Sequence, residues 1–260
     1  MEFETIHGER IPKIGLGTWN LRGEECVRAV GTAFELGYRH IDTAEMYANE
    51  EQVGQALRAS GLERSEIFLT SKVLSSNLRH AAVLEACDRS LSKLNLDFID
   101  LYLIHSPNSH VPIEETMQAM NTLVEQGKVR LIGVSNFSIQ QQKAAQASSD
   151  SKLLTNQVIY HSQYPQRELL DYCRENEVIV TSYSPLARGR LAKHKGLQAI
   201  GDRYGKNAAQ IALRWVVQQL NVVTIPKSSK RARQRENIEI FDFALTDEEM
   251  TEITNNSRLS

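Results

Sequence analysis

Four residues that can handle a proton stand at or just after short apolar runs. Asp42, Lys72 and His105 each end such a run, and Tyr47 follows shortly after Asp42. A buried ammonium beside a phenol favours the phenolate, so a lysine neighbour is expected to lower the tyrosine pKa from its usual value of about 10. A nearby histidine can orient a carbonyl oxygen or assist proton transfer. The set indicates a reaction in which a carbonyl oxygen receives a proton while a hydride reaches its carbon.

Each of these residues also has a purely structural explanation. Asp42 and Lys72 could form a salt bridge at the rim of a sheet, Tyr47 could be packing, and His105 could be a core histidine. Their occurrence after successive apolar runs is what favours a shared site. The set contains no nucleophile–base pair for acyl transfer and no cluster of histidine, cysteine and carboxylate ligands, so we expect no metal.

Eight short apolar runs alternate with longer amphipathic segments. Several are continuous rather than alternating, such as Val178–Val180, and parallel strands buried on both faces have this pattern. The predicted strands are Lys13–Gly17, Tyr38–Asp42, Ile67–Lys72, Phe98–His105, Val129–Ser135, Thr155–Ile159, Val178–Tyr183 and Val222–Lys227.

The alternation predicts an α/β fold, a (β/α)8 TIM barrel forming one domain over residues 1–260. A barrel of this kind typically needs about 250 residues. No Gly-x-Gly-x-x-Gly turn follows the first strand, as a dinucleotide-binding doubly wound sheet would require. Residues 2–12 precede the first barrel strand, and Gly8 between two short runs predicts a hairpin capping the barrel bottom. Helix starts are indicated by Pro112, by the capping pair Asn207 and Gln210, and by the pair Thr246 and Glu249.

Composition excludes several classes of protein. The net charge of −2 gives no general attraction to nucleic acid or to anionic membranes. No apolar run approaches the roughly 20 residues that span a bilayer, and the polar N-terminus does not resemble a signal peptide. Cys26, Cys87 and Cys173 are far apart, so we expect buried or half-buried thiols on helix flanks rather than a disulfide framework. The expected location is the cytoplasm.

A basic stretch follows the last predicted strand. Five lysines and arginines lie between Lys227 and Arg235, with no acidic residue among them. Such runs are usually solvated helix faces, but barrels often bind phosphate directly after strand eight, aided by the N–H groups of a short helix. We therefore predict a phosphate-binding site here.

Four motifs in the same order resemble the aldo-keto reductases, particularly the compact bacterial members, and the resemblance covers nearly the whole chain. The first is Gly15–Trp19, and the second runs from Gly37 through Asp42 and Tyr47 to Gly54. The others are Arg130–Phe137 and the segment Ile225–Ser228 with Arg233 and Glu236–Asn237. The resemblance implies NADPH-dependent reduction of aldehydes or ketones, without a metal.

The resemblance also implies a role for each matching residue. Tyr47 would be the general acid, assisted by Lys72 and Asp42, while His105 would orient the carbonyl. Trp19 would line the substrate pocket with Tyr47, His105 and Ser106. The residues expected to bind NADPH or NADP+ are Thr18, Trp19, Ser135, Asn136, Gln157, Tyr183, Ser184, Leu186, Ile225, Lys227, Ser228, Arg233, Glu236 and Asn237. Among these, Ser135, Asn136 and Gln157 would hold the carboxamide, and Tyr183 would stack on the nicotinamide ring.

Two departures from the family pattern bear on the substrate. Ser106 follows the histidine where many members carry tryptophan, and the chain ends at Ser260 without the long C-terminal loop of the animal enzymes. Both features predict an open pocket that accepts a range of small carbonyl compounds. The resemblance also suggests a monomer.

Two other functions are compatible with these motifs. The first is a cofactor-binding, non-enzymatic subunit of the same fold, like the barrel proteins that associate with potassium channels. The intact set of Tyr47, Lys72, Asp42 and His105 argues against it. The second is a barrel isomerase or aldolase that binds a sugar phosphate and uses Lys72 for a Schiff base. Tyr183 and the Ser135–Asn136 pair fit a nicotinamide better.

Overall fold

Eight parallel strands curl into one sheet in the computed structural model, which describes residues 2–256, and each strand pairs with the next one along the chain. The strands are β3 Leu16–Gly17, β4 His40–Asp42, β5 Phe68–Val73, β6 Ile99–Ile104, β7 Val129–Ser135, β8 Thr155–Ile159, β9 Ile179–Tyr183 and β10 Val222–Thr224. A parallel bridge between Ile14 and Thr224 joins the two ends of this sheet, and Gly15 N donates to the Thr224 carbonyl at 2.8 Å. The predicted (β/α)8 barrel is confirmed.

The first and last strands are shorter than predicted. Regular pairing begins at Leu16 rather than Lys13 and ends at Thr224 rather than Lys227. Pro226 has no N–H with which to continue a ladder. The backbone of Gly17 lies close to that of Ile225, and a Cβ on Gly17 would be 2.7 Å from the Ile225 carbonyl oxygen.

Ten helices alternate with the strands or follow the last one within the described residues. They are α1 Gly23–Glu35, α2 Glu50–Ala59, α3 His80–Leu94, α4 Ile113–Glu125, α5 Ile139–Ala147, α6 Arg167–Glu175, α7 Lys195–Tyr204, α8 Ala208–Val217, α9 Arg231–Ile238 and α10 Asp247–Asn256. Asn207 and Gln210 exchange backbone-to-side-chain hydrogen bonds of 3.0 Å at the start of α8, as predicted. Thr246 and Glu249 form the same reciprocal pair before α10.

A hairpin of β1 Phe3–Ile6 and β2 Glu9–Pro12 closes one end of the barrel. Its buried Ile6 and Ile11 pack in one cluster that includes Phe68, Leu154 and Ile179, which lie at or just before the amino ends of their strands. The predicted N-terminal cap at the barrel bottom is therefore present. Because the hairpin covers that end, the polar carboxyl ends of the strands open at the other.

The three cysteines are free and buried, on α1, α3 and α6. Burial raises the thiol pKa to about 11 for Cys26 and Cys173 and to about 12 for Cys87, so each behaves as a small apolar residue. No helix within residues 2–256 is long and apolar enough to cross a membrane.

Candidate active site

Lys72 is the centre of the polar cluster at the open end of the barrel. Its side chain is fully buried, and its Nζ donates to Asp42 Oδ1 at 2.5 Å and to the Thr43 carbonyl at 2.8 Å. The same nitrogen lies 3.5 Å from the Tyr47 hydroxyl, a long contact. Gln157 Nε2 donates to the second Asp42 oxygen at 2.8 Å. The fold thus brings Asp42, Tyr47 and Lys72 together, although strands and a loop separate them in sequence.

The segment that carries Tyr47 is held from two sides. Glu45 to Tyr47 form one turn of 3₁₀ helix, which ends at Ala48 with φ 52°. The Glu45 carboxylate accepts hydrogen bonds from Leu74 N at 3.0 Å and Asn77 Nδ2 at 2.9 Å. On the other side, the Arg22 guanidinium donates to the Tyr47 carbonyl. These contacts hold the phenol over Lys72 without using its hydroxyl.

The pKa of Tyr47 is raised above 10, not lowered as we expected from the sequence. Burial disfavours the phenolate, and the positive charge of Lys72 opposes this only in part. Burial also acts to lower the pKa of Lys72, but Asp42 and Tyr47 outweigh it and the pKa of Lys72 is raised. At neutral pH the site therefore holds a protonated phenol beside an ammonium.

His105 lies against Tyr47, with ring centroids 5.6 Å apart and planes nearly perpendicular. Burial, and then the charge of Lys72, lower the pKa of His105 to about 4, so the imidazole is neutral at pH 7. Its Nδ1 is buried and has no hydrogen-bond partner within residues 2–256. Placing the proton on Nε2 avoids burying an N–H without an acceptor, so we infer that tautomer.

The predicted carboxamide-binding residues form one network at the ends of β7, β8 and β9. Ser135 Oγ donates to the Gln157 carbonyl at 2.8 Å. Asn136 Nδ2 donates to Ser135 Oγ and to the His105 carbonyl, both at 3.1 Å. The Tyr183 hydroxyl donates to Asn136 Oδ1 at 2.8 Å, so its half-buried ring lies beside this network. The structure therefore joins these four residues in one hydrogen-bonded network, which reaches the His105 backbone through Asn136.

The predicted phosphate-binding segment leads into α9. Lys227 and Arg233 are exposed, and neither forms a salt bridge with a described acidic residue, whereas Arg231 pairs with Glu35. Among the described residues, no side chain caps the N-terminus of α9. Lone cations and uncapped N–H groups at a helix start suit an anion, so these residues fit a dinucleotide phosphate. Ser228 and Asn237 are buried, Glu236 is half-buried, and Ile225 is a buried wall residue.

The remaining predicted residues lie around the same open end. Thr18 is buried, and its hydroxyl donates to the Asp42 carbonyl at 3.0 Å, which ties β3 to β4. Trp19 projects beside it and is 50% exposed. Ser106 follows His105 and is half-buried, while Ser184 and Leu186 lie half-buried after β9.

Comparison with known proteins agrees with this geometry. A profile described as "Aldo/keto reductase family" matches residues 13–257. The chain therefore belongs to the aldo/keto reductase family. It is an oxidoreductase that acts on carbonyl compounds, and members of this family use nicotinamide cofactors.

Particular relatives of this aldo/keto reductase cover nearly its full length. Glyoxal reductase of Bacillus subtilis is 41% identical over 95% of this chain and 89% of the relative. The 9,11-endoperoxide prostaglandin H2 reductase of Trypanosoma cruzi is 41% identical over 96% of this chain and 89% of the relative. The solved aldose reductase of Schistosoma japonicum superposes with a TM-score of 0.94 at 36% identity, over 99% of this chain and 93% of that one.

Several residues that position the site were not identified from the sequence. Asn49 is fully buried two residues after Tyr47 and bonds to the loop that follows β3. Gln234 is also fully buried, and its Nε2 donates to the Ala29 carbonyl at 2.9 Å, which fixes α9 against α1. From the sequence, polar residues such as Asn49 and Gln234 are expected on the surface. Their burial follows from the conformation of the loops and is seen only in the structure.

Proposed function

We propose that this aldo/keto reductase reduces aldehydes and ketones to alcohols with NADPH, and that Tyr47 donates the proton. The observation that carries the proposal is the placement of Lys72 Nζ, 2.5 Å from Asp42 and 3.5 Å from the Tyr47 hydroxyl. When bound, a reduced nicotinamide would supply the hydride for the carbonyl carbon. The residues of the chain orient the carbonyl oxygen and donate its proton.

Tyr47 is a better proton donor than His105. With a pKa near 4, His105 is a neutral imidazole at pH 7, and its remaining N–H is a much weaker acid than the protonated phenol of Tyr47. As the carbonyl oxygen gains negative charge it approaches an alkoxide, a base comparable in strength to hydroxide and far stronger than a phenolate. A phenol can protonate such an oxygen even with a raised pKa.

Lys72 stabilises the phenolate that remains after the transfer. Its Nζ is held by Asp42 and Thr43, so the charge is already in place when the phenol loses its proton. Neutral His105 donates a hydrogen bond from Nε2 to the carbonyl oxygen and orients it towards Tyr47. The phenolate is then reprotonated from solvent, since the Tyr47 side chain is only half-buried.

NADPH is proposed rather than NADH because of the segment before and within α9. Lys227 and Arg233 offer exposed charges with no acidic partner among the described residues, and charge-assisted bonds to phosphate are strong. The 2′-phosphate of NADPH would form ion pairs with Lys227 and Arg233. NADH has no phosphate at this position and would offer the two side chains no anionic partner.

The proposal is tested by following NADPH oxidation with methylglyoxal, an aromatic aldehyde, a diketone and a keto acid. We expect turnover of at least one of these compounds, faster with NADPH than with NADH at equal concentration. Cofactor binding is measured separately by quenching of tryptophan fluorescence. A protein that binds NADPH tightly but oxidises it with none of the four carbonyl classes would contradict the proposal and favour a binding subunit.

A further inference from the structure

Asn49 joins the loop that carries Trp19 to the segment that carries Tyr47. Its side chain is 0% exposed. Asn49 Nδ2 donates to the Thr18 carbonyl at 2.9 Å and to the Leu21 carbonyl at 3.1 Å. The Thr43 hydroxyl donates to Asn49 Oδ1 at 2.7 Å. One buried amide therefore connects the ends of two neighbouring strands, β3 and β4.

The two carbonyls that Asn49 binds enclose a single turn. Leu21 N donates to the Thr18 carbonyl at 3.0 Å, and Asn20 has φ 63°, so residues 18–21 form a tight turn. Trp19 is at a corner of that turn. Because half of its side chain is exposed, packing restrains the indole only in part, and a movement of the turn's backbone would move the indole with it.

The Oδ1 atom of Asn49 connects it, through Thr43, to the segment of the proposed proton donor Tyr47. Thr43 donates its hydroxyl to Asn49 and accepts Lys72 Nζ on its carbonyl at 2.8 Å. Tyr47 lies two residues before Asn49, with the left-handed Ala48 between them. A shift of the Trp19 turn relative to Tyr47 or Lys72 must therefore break hydrogen bonds of Asn49.

We propose that Asn49 is a positioning residue that fixes the distance between Trp19 and the Tyr47 hydroxyl, and thereby determines how well bulky carbonyl substrates bind. Asn49 touches no reacting atom. An amide is required because the site needs two donors and one acceptor in a plane. Aspartate would present two acceptors to two carbonyls, and serine is too short to reach both.

The first test does not depend on catalysis. In W215F protein, Trp19 is the single tryptophan, and time-resolved fluorescence anisotropy reports its motion. We expect Asn49→Ser to increase the fast, large-amplitude part of the decay. Asn121→Ser is the matched control, since this buried asparagine also ties two segments, through Ser148 and Asp150, but on α4 and away from Trp19. Equal indole motion in W215F proteins with and without Asn49→Ser would overturn the proposal. If W215F does not fold, the decay is obtained by subtracting that of W19F from that of the unsubstituted protein.

The second test uses the Michaelis constants and rests on the proposed function. We expect Asn49→Ser to raise the KM for an aromatic aldehyde about tenfold more than the KM for methylglyoxal, the size of a coupling between contacting residues. In the Trp19→Ala background the difference between the two substrates should disappear. An equal rise for both substrates, or a difference that persists without Trp19, would contradict the proposal. Failure of the proposed function is distinguishable, because then the unsubstituted protein reduces neither substrate while the anisotropy result still stands.

Discussion

Gln157 Nε2 donates a 2.8 Å hydrogen bond to Asp42 Oδ2, on the carboxylate oxygen opposite the one that binds Lys72. Both residues are buried, one on β8 and the other on β4, so the bond crosses the barrel interior. Asp42 thus has a fixed partner on each oxygen and holds Lys72 in one orientation. Gln157 links the network proposed to bind the carboxamide to Asp42 and Lys72, which lie beside the proposed proton donor.

Gln157→Met should therefore lower the rate of reduction at saturating NADPH and substrate. Methionine has a similar length but no donor, so Asp42 and Lys72 lose part of their restraint. We expect a loss of about tenfold in kcat, the size of one lost charge-assisted hydrogen bond. Gln142→Met is the control, since this buried glutamine on α5 does not contact Asp42. An unchanged kcat with only weaker NADPH binding would mean that Gln157 serves the cofactor alone.

Arg233→Ala should raise the KM for NADPH much more than the KM for NADH. The exposed guanidinium has no acidic partner among the described residues and lies in the first turn of α9, where an anion is favoured. Steady-state kinetics with both cofactors measure the effect, and Arg235→Ala on the same helix is the control. Equal effects of Arg233→Ala on the two cofactors would remove Arg233 from the phosphate site.

Ser106→Trp should change the order in which substrates are preferred. Ser106 follows His105 at the open end and is half-buried, so an indole there adds an aromatic surface beside the carbonyl site. The unsubstituted protein should reduce several unrelated aldehydes with high KM values. A panel of kcat/KM values for both proteins provides the measurement. One tightly bound substrate and no others, or an unaltered ranking in the variant, would refute this prediction.

Stability should fall as the pH falls from about 6.5 towards about 4. Burial is the main cause that lowers the pKa of both His40 and His105 to about 4. In this interval the unfolded chain binds more protons than the folded one, so acid favours unfolding. Urea denaturation at several pH values measures the slope. His105→Gln should make it shallower, because one of the histidines with a lowered pKa is then absent; an identical slope in the variant would show that His105 does not contribute.

The strand pattern of the barrel could be predicted because buried parallel strands are continuous apolar runs. Thr155–Ile159 and Val129–Ser135 were predicted with the bounds that the structure has. The last strand was predicted too long, since the apolar residues continue to Ile225 while Pro226 has no N–H to donate to a neighbouring strand. The pattern of polar and apolar residues predicts which residues are buried more reliably than it predicts the residue at which a strand ends.

The sequence predicted that Asp42, Tyr47 and Lys72 lie together, as the structure has them, but it did not predict the electrostatics of this cluster. Residue types placed Lys72 beside Tyr47, and from that neighbour alone a lowered pKa was expected. The depth of burial, which determines the opposite sign, depends on the packed loops. The bond between Asp42 and Gln157 was missed for a related reason, because it depends on which side chains meet inside the closed barrel.

Tyr47→Phe tests the central proposal most directly. This change removes only the hydroxyl, so folding and NADPH binding, checked by thermal unfolding and fluorescence quenching, should be nearly unaltered. We expect the rate of carbonyl reduction to fall by roughly 10²–10⁴-fold, as for a lost general acid. His105→Gln keeps a hydrogen-bond donor and should reduce the rate less, while Lys72→Met should be severe because the phenolate loses its charge partner. Near-full reductase activity in Tyr47→Phe, together with an inactive His105→Gln protein, would contradict the account and make His105 the proton donor.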